Sequence, residues 1–240
     1  MSRKIFVASG KGGVGKTVFA SNAASVLAER GLKTLMIDMN LGLRNLDLYM
    51  GLENKVVFDI ADVVNGVVGP SKALVRDKRF PYLYLLAATQ KKDKLLAGSD
   101  SIKKLYDDYS KVFDVIIIDG PAGINDELKL ASSGVDLAVL MTTPEYVSLR
   151  DADAVDSLLA ENGLKSRAYI INKVNKGNMR SGLLPSFEEI SSLMRIPLLG
   201  IIQNDNIIHL AANAGRPVVM QRGSYIEKNF SKIIDRILCY

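Results

Sequence analysis

The sequence predicts an α/β fold, a mainly parallel twisted sheet with helices on both faces. Three observations carry this. Short β-rich runs recur at Lys4 to Ala8, Thr34 to Asp38, Tyr82 to Leu86, Val115 to Asp119, Leu137 to Thr142, Ala168 to Asn172 and Leu198 to Ile202. Most are separated by segments of helical period, the alternation that crossover connections between parallel strands produce. No Pro/Ser linker, low-complexity tract or internal repeat interrupts the pattern, so residues 1–240 are expected to form a single domain.

The first run leads through a Gly-rich loop into a helix from Thr17 to about Arg30, whose apolar stripe is Phe19, Ala20, Ala23, Ala24, Leu27 and Ala28 and whose stop signal is Gly31. In open α/β sheets ligands bind beyond the carboxyl ends of the strands. The loop therefore shares one crevice with Asp38, Asp119, Thr142 and Asn172, each at the end of a later strand. The last helix, roughly Tyr225 to Leu238, aligns Ile226, Phe230, Ile233, Ile234 and Ile237 on one side. Its polar side mixes Glu227 and Asp235 with Lys228, Lys232 and Arg236.

Composition narrows the chemistry. With 48% hydrophobic and 24% charged residues the chain can bury a core and is not disordered. A single cysteine, Cys239, and a single histidine, His209, exclude an internal disulfide and a Cys/His zinc or iron–sulfur site within one chain, and argue against a catalytic triad. The net charge of +5 suits an anionic ligand, nucleic acid or an acidic membrane equally and selects none of them. The apolar runs fall far short of the roughly 18 residues of a spanning helix, and the Gly-rich loop arrives before a signal-peptide core could form; a cytoplasmic protein is expected.

Gly10-Lys11-Gly12-Gly13-Val14-Gly15-Lys16-Thr17 fits G-x-x-x-x-G-K-[ST], with a strand before it and a helix after it, the context of a Walker A phosphate loop. Glycines let successive amides curl around phosphate oxygens, the helix N-terminus adds partial positive charge, and Lys16 adds a full charge between the β- and γ-phosphates. ATP or ADP with Mg²⁺ is the implied cofactor, held by Gly10 through Val18, with the Thr17 hydroxyl on the metal. A metal corner also needs a carboxylate at the end of a second strand. Val115-Ile-Ile-Ile-Asp119, followed by Gly120-Pro121-Ala122-Gly123, reads as Walker B running into a switch; Asp38 is the other acid expected near the metal.

The second lysine, Lys11, gives a K-G-G-x-G-K-T loop that resembles the deviant Walker A group of P-loop ATPases, among them MinD, ParA, ArsA and the nitrogenase iron protein. The resemblance implies a homodimer that sandwiches two ATP molecules, with Lys11 reaching the partner's nucleotide. Gly42-Leu43-Arg44-Asn45-Leu46-Asp47-Leu48 narrows it to the MinD branch of the MinD/ParA family. Further matches run through Asp77-Lys78-Arg79, Ala87-Ala88-Thr89-Gln90, Asp119 to Ile124, Thr143-Pro144-Glu145, Arg150-Asp151-Ala152-Asp153 and Gly215-Arg216-Pro217-Val218. Membership implies an ATPase acting as a nucleotide switch in bacterial division-site placement. It also implies a MinC-like septum inhibitor and a MinE-like topological regulator as partners.

The resemblance further assigns Asn172 to the adenine, whose edge an amide can both donate to and accept from. Gln203-Asn204-Asp205 stands where the family carries Pro-Glu-Asp beside the base, so Gln203 and Asp205 are expected there, and Glu145 is expected to approach the nucleotide from the dimer interface. The reacting end comprises Lys11, Lys16, Asp38 and Asn40. At Asn40 the chain leaves the family pattern Asp-x-Asp, whose second aspartate orients the attacking water; an amide can hold a water but lacks a carboxylate's charge and basicity, so turnover is expected to be slow. The family's membrane-binding amphipathic tail is also missing, so the last helix is expected to pack on the sheet and membrane association to be weak or to need that tail. The alternative reading is a ParA-like partition ATPase or a flagellar or cargo-positioning ATPase, although no basic cluster calls for nucleic acid. A redox ATPase like the nitrogenase iron protein would need two cysteines per chain.

Overall fold

The computed structural model describes residues 2–95, 98–180 and 182–240. Its strands are β1 (Arg3–Ser9), β2 (Thr34–Asp38), β3 (Val75–Arg76), β4 (Leu83–Leu86), β5 (Val115–Ala122), β6 (Leu137–Thr142), β7 (Arg167–Val174) and β8 (Leu198–Gln203). The helices are α1 (Lys16–Glu29), α2 (Leu46–Tyr49), α3 (Ile60–Val64), α4 (Ser99–Ser110), α5 (Asp126–Ala131), α6 (Tyr146–Glu161), α7 (Lys176–Arg180), α8 (Phe187–Met194), α9 (Asn206–Asn213) and α10 (Tyr225–Leu238). All seven expected strands are present. The eighth, β3, is a two-residue antiparallel edge on β4, too short to show a period.

The strands form one sheet in the order β3-β4-β2-β5-β1-β6-β7-β8, parallel throughout except at β3. β1 lies between β5 and β6, so the chain reverses its direction of winding there and the connection leaving β1 opens onto a crevice.

Side chains alternate across the strands, and both faces are covered. Ile5 and Val7 of β1 belong to one apolar cluster with Phe19, Ala23 and Leu27 of α1 and Phe230 and Ile233 of α10. Phe6 and Ala8 belong to the other, with Tyr106 of α4 and Leu149 and Val155 of α6. Phe19 and Phe230 stack at 6.0 Å between ring centroids, fastening α10 to α1. The stripe read on α10 is buried at Ile226, Phe230, Ile233, Ile234 and Ile237, as expected for a helix packed on a sheet. Ser224 caps this helix, its hydroxyl accepting from the Glu227 N–H at 3.1 Å. Among the described residues no helix is long and apolar enough to cross a membrane.

Candidate nucleotide site

The loop between β1 and α1 is built on glycine at the positions where glycine is required. Gly13 and Gly15 have φ of 77° and 99°, in the left-handed region, and a Cβ on Gly15 would overlap the side-chain amide of Asn172. Gly10 is held by contact, since a Cβ there would overlap the Asp151 carbonyl of α6. Gly15 is also the N-cap of α1 and offers no capping side chain, so the first-turn N–H groups are left to a ligand. The Lys16 side chain is buried, and its Nζ donates to Ser9 Oγ at 2.8 Å while Ser9 donates to the Lys11 carbonyl at 2.8 Å. Burial pushes the Lys16 ammonium below its usual range, and Asp119 partly restores it.

At the foot of the loop two carboxylates face each other in register on neighbouring strands, Asp38 at the end of β2 and Asp119 within β5, which runs on through Gly120 and Pro121 to Ala122 where the sequence suggested a strand ending at the acid. Both are fully buried. Thr17 Oγ1 donates to Asp119 Oδ2 at 2.7 Å, and Asn40 Nδ2 donates to the same oxygen at 2.9 Å and to Asp38 Oδ1 at 3.1 Å. Asp38 also accepts the N–H groups of Asn40, Asn45 and Leu46 at 2.9, 3.0 and 3.0 Å. Asp119 Oδ1 is buried and has no hydrogen-bond partner among the described residues. Burial raises the affinity of both acids for a proton. Asp119 is pushed up to about 7, burial first and the charge of Asp38 second, against the pull of Thr17, Lys16 and Asn40.

These residues fit Mg²⁺. The donors are hard oxygens, the class that ion prefers, and an unpartnered buried carboxylate oxygen points to a cation or its water. Among the described residues no group of three or more His, Cys, Asp and Glu side chains could hold a metal unaided. The two acids and Thr17 suit an ion that brings phosphate oxygens and water with it.

At the other end of the loop, Gly15, Asn172, Lys173, Gln203, Asp205 and His209 line a small cavity. Asn172 Nδ2 donates to the Val14 carbonyl at 2.8 Å and its Oδ1 accepts the Lys173 N–H at 2.8 Å. Asp205 caps α9, accepting from Ile207 N–H at 2.8 Å, and also takes the Tyr225 hydroxyl. The structure thus gathers Asn172, Gln203 and Asp205, and adds Lys173 and His209, which sequence reasoning missed; their places next to Asn172 and one turn after Asp205 are the only signals that could have found them. Lys11 and Glu145, half-exposed, form an ion pair within the same chain, Nζ to Oε2 at 3.3 Å.

Residues 5–218 match the model of the CobQ/CobB/MinD/ParA nucleotide binding domain. The septum site-determining protein MinD of Bacillus subtilis is 39% identical over 240 residues, covering 99% of this chain and 90% of the relative. The chain belongs to the MinD family. Among solved structures, the MinC:MinD cell division protein complex of Aquifex aeolicus superposes with a TM-score of 0.92 at 34% identity, covering 100% of this chain and 97% of that one. The Pyrococcus horikoshii MinD complexed with Mg-ADP superposes with a TM-score of 0.88 at 29% identity, covering 99% and 96%.

The MinD motifs divide between site and scaffold. In Gly42 to Leu48, Gly42 turns with φ 87° and its N–H meets the Thr89 carbonyl at 2.8 Å, while Arg44 pairs with buried Asp47 at 2.6 Å. That pairing sets the turn whose next N–H groups hold Asp38. Asp77-Lys78-Arg79 and Gly215-Arg216-Pro217 lie away from the crevice. Arg79 binds Asp77 at 2.7 Å, the Gly215 carbonyl at 2.9 Å and the Met50 carbonyl. Gly215 approaches Gly51 so closely that a Cβ on it would lie 2.8 Å from the Gly51 Cα.

Proposed function

We propose that residues 1–240 act as a single P-loop ATPase domain of MinD type, which binds Mg·ATP, dimerises around it and hydrolyses it to ADP and phosphate as a switch in division-site placement. The observation that carries this reading is the convergence of Thr17, Asp38 and Asp119 at the foot of a glycine-shaped loop, with Asp119 Oδ1 unpartnered. The loop amides and the α1 N-terminus take the phosphates, and Lys16, already aimed into the loop through Ser9, compensates charge near the γ-phosphate. Thr17, Asp38 and Asp119 would hold Mg²⁺, which when bound would supply charge compensation for the phosphates. Asn40 stands beside both acids, which supports its holding the attacking water through its amide oxygen; lacking a carboxylate's basicity, it would give slow turnover.

In the dimer, Lys11 leaves Glu145 and crosses to the partner's phosphates. Asn172 reads the adenine, with Gln203 and Asp205 on the cavity wall beside it. The MinC:MinD complex of the Aquifex relative supports a MinC-like inhibitor as partner; a MinE-like regulator would complete the cycle, and membrane association would be weak or need an amphipathic tail outside these 240 residues. Calorimetric titration with Mg·ADP and Mg·ATP tests the reading. Micromolar binding that Lys16→Ala abolishes supports it, and unchanged binding in that variant overturns it.

A further inference from the structure

β7 departs from a regular strand at its carboxyl end. Its ladder with β8 shifts register between Ile171 and Val174, and Lys173 takes a left-handed backbone, φ 56°. A lysine disfavours that region and keeps it only where its surroundings impose it. The effect is geometrical. In a regular strand neighbouring side chains face opposite ways, but here two consecutive ones reach the same loop. Asn172 Nδ2 donates to the Val14 carbonyl and Lys173 Nζ donates to the Gly13 carbonyl, each at 2.8 Å. In a planar trans peptide the C=O and the N–H of the next residue point oppositely. Drawing the Gly13 and Val14 carbonyls toward β7 therefore turns the N–H groups of Val14 and Gly15 away from it, to the side where the loop curls around its ligand.

We propose that Lys173 is a positioning residue for phosphate binding, a strap that fixes the Gly13–Val14 peptide so that its amide is aimed before a ligand arrives. This rests on the nucleotide reading above. Lys173 acts through the loop and not through the base, so its loss weakens Mg·ATP and magnesium tripolyphosphate alike. A purely local role is distinguishable, because glycine accepts the left-handed backbone without strain but carries no ammonium group.

The test uses the full chain with Lys173→Met, Lys173→Gly and Lys173→Arg. Amide hydrogen exchange over residues 13–16 is measured without ligand, and affinities for Mg·ATP and magnesium tripolyphosphate are measured by calorimetry. The expected result is faster exchange in the Met and Gly variants, affinity for both ligands lower by about fivefold, the scale of one lost hydrogen bond, and recovery of both readouts in the Arg variant. The Gly variant should be no less stable than the parent. Unchanged exchange in the Met variant, or parental affinity in the Gly variant, overturns the strap. If the parent binds neither ligand, the nucleotide reading fails, while the ligand-free exchange still decides whether Lys173 holds the loop.

Discussion

The side-chain amide nitrogen of Asn40 lies 2.9 Å from Asp119 Oδ2 and at the same time 3.1 Å from Asp38 Oδ1, so one nitrogen joins the paired acids of β2 and β5. A carboxylate at this position could not donate either bond. It would add a third like charge within hydrogen-bond distance of two others in a buried setting, where Coulomb repulsion is weakly screened.

Asn40→Asp should therefore move two observables in opposite senses. With Mg·ATP, single-turnover hydrolysis should rise by on the order of 10²-fold, since a water-orienting base is restored, while ATP affinity changes little. In EDTA the thermal midpoint should fall below the parent's, because three buried carboxylates then face one another without a cation. Equal hydrolysis rates would mean that another group holds the nucleophile.

Arg79 is expected to matter for stability and not for chemistry. Its guanidinium joins buried Asp77 to the Gly215 and Met50 carbonyls, and Asp77 is bonded through its N–H to Leu83 at the amino end of β4, the end of the sheet opposite the phosphate loop. Arg79→Ala leaves the Asp77 carboxylate without its charge partner and should destabilise the fold by about 3 kcal/mol. Urea denaturation gives the loss, and calorimetry at low temperature should show Mg·ADP affinity within a factor of two of the parent.

α10 has a mixed-charge outer side, and its apolar stripe is in the core with Phe19. It is not free to lie in a bilayer. Co-sedimentation of the 240-residue chain with anionic vesicles should leave it in the supernatant with either nucleotide. Robust pelleting with ATP would assign the anchor to this helix or to another surface.

The strands were legible because short apolar runs between segments of helical period are local signals, and the phosphate loop because its glycines and lysines are contiguous. Both acids were legible as residues near the metal, but their pairing in register on adjacent strands appears only in the sheet. Other features leave no local trace. β3 is too short for a period, and the left-handed lysine at 173 follows from where the loop carbonyls lie, information held about 160 residues upstream. Glu145 was singled out only through the family resemblance, and its pairing with Lys11 is a matter of tertiary approach. Asp77-Lys78-Arg79 and Gly215-Arg216-Pro217 were legible only as motifs; their function as a clamp appears once Gly51 and Gly215 are seen in contact.

ATP, and not ADP, should join two chains through Lys11. Size-exclusion chromatography with light scattering, run on the parent and on Lys11→Ala with each nucleotide, tests this most directly. The parent should have the mass of a monomer with Mg·ADP and of a dimer with Mg·ATP, while Lys11→Ala should stay monomeric with both and keep most of its Mg·ADP affinity. A Lys11→Ala chain that dimerises with Mg·ATP as the parent does, or a parent whose mass ignores the nucleotide, would contradict it.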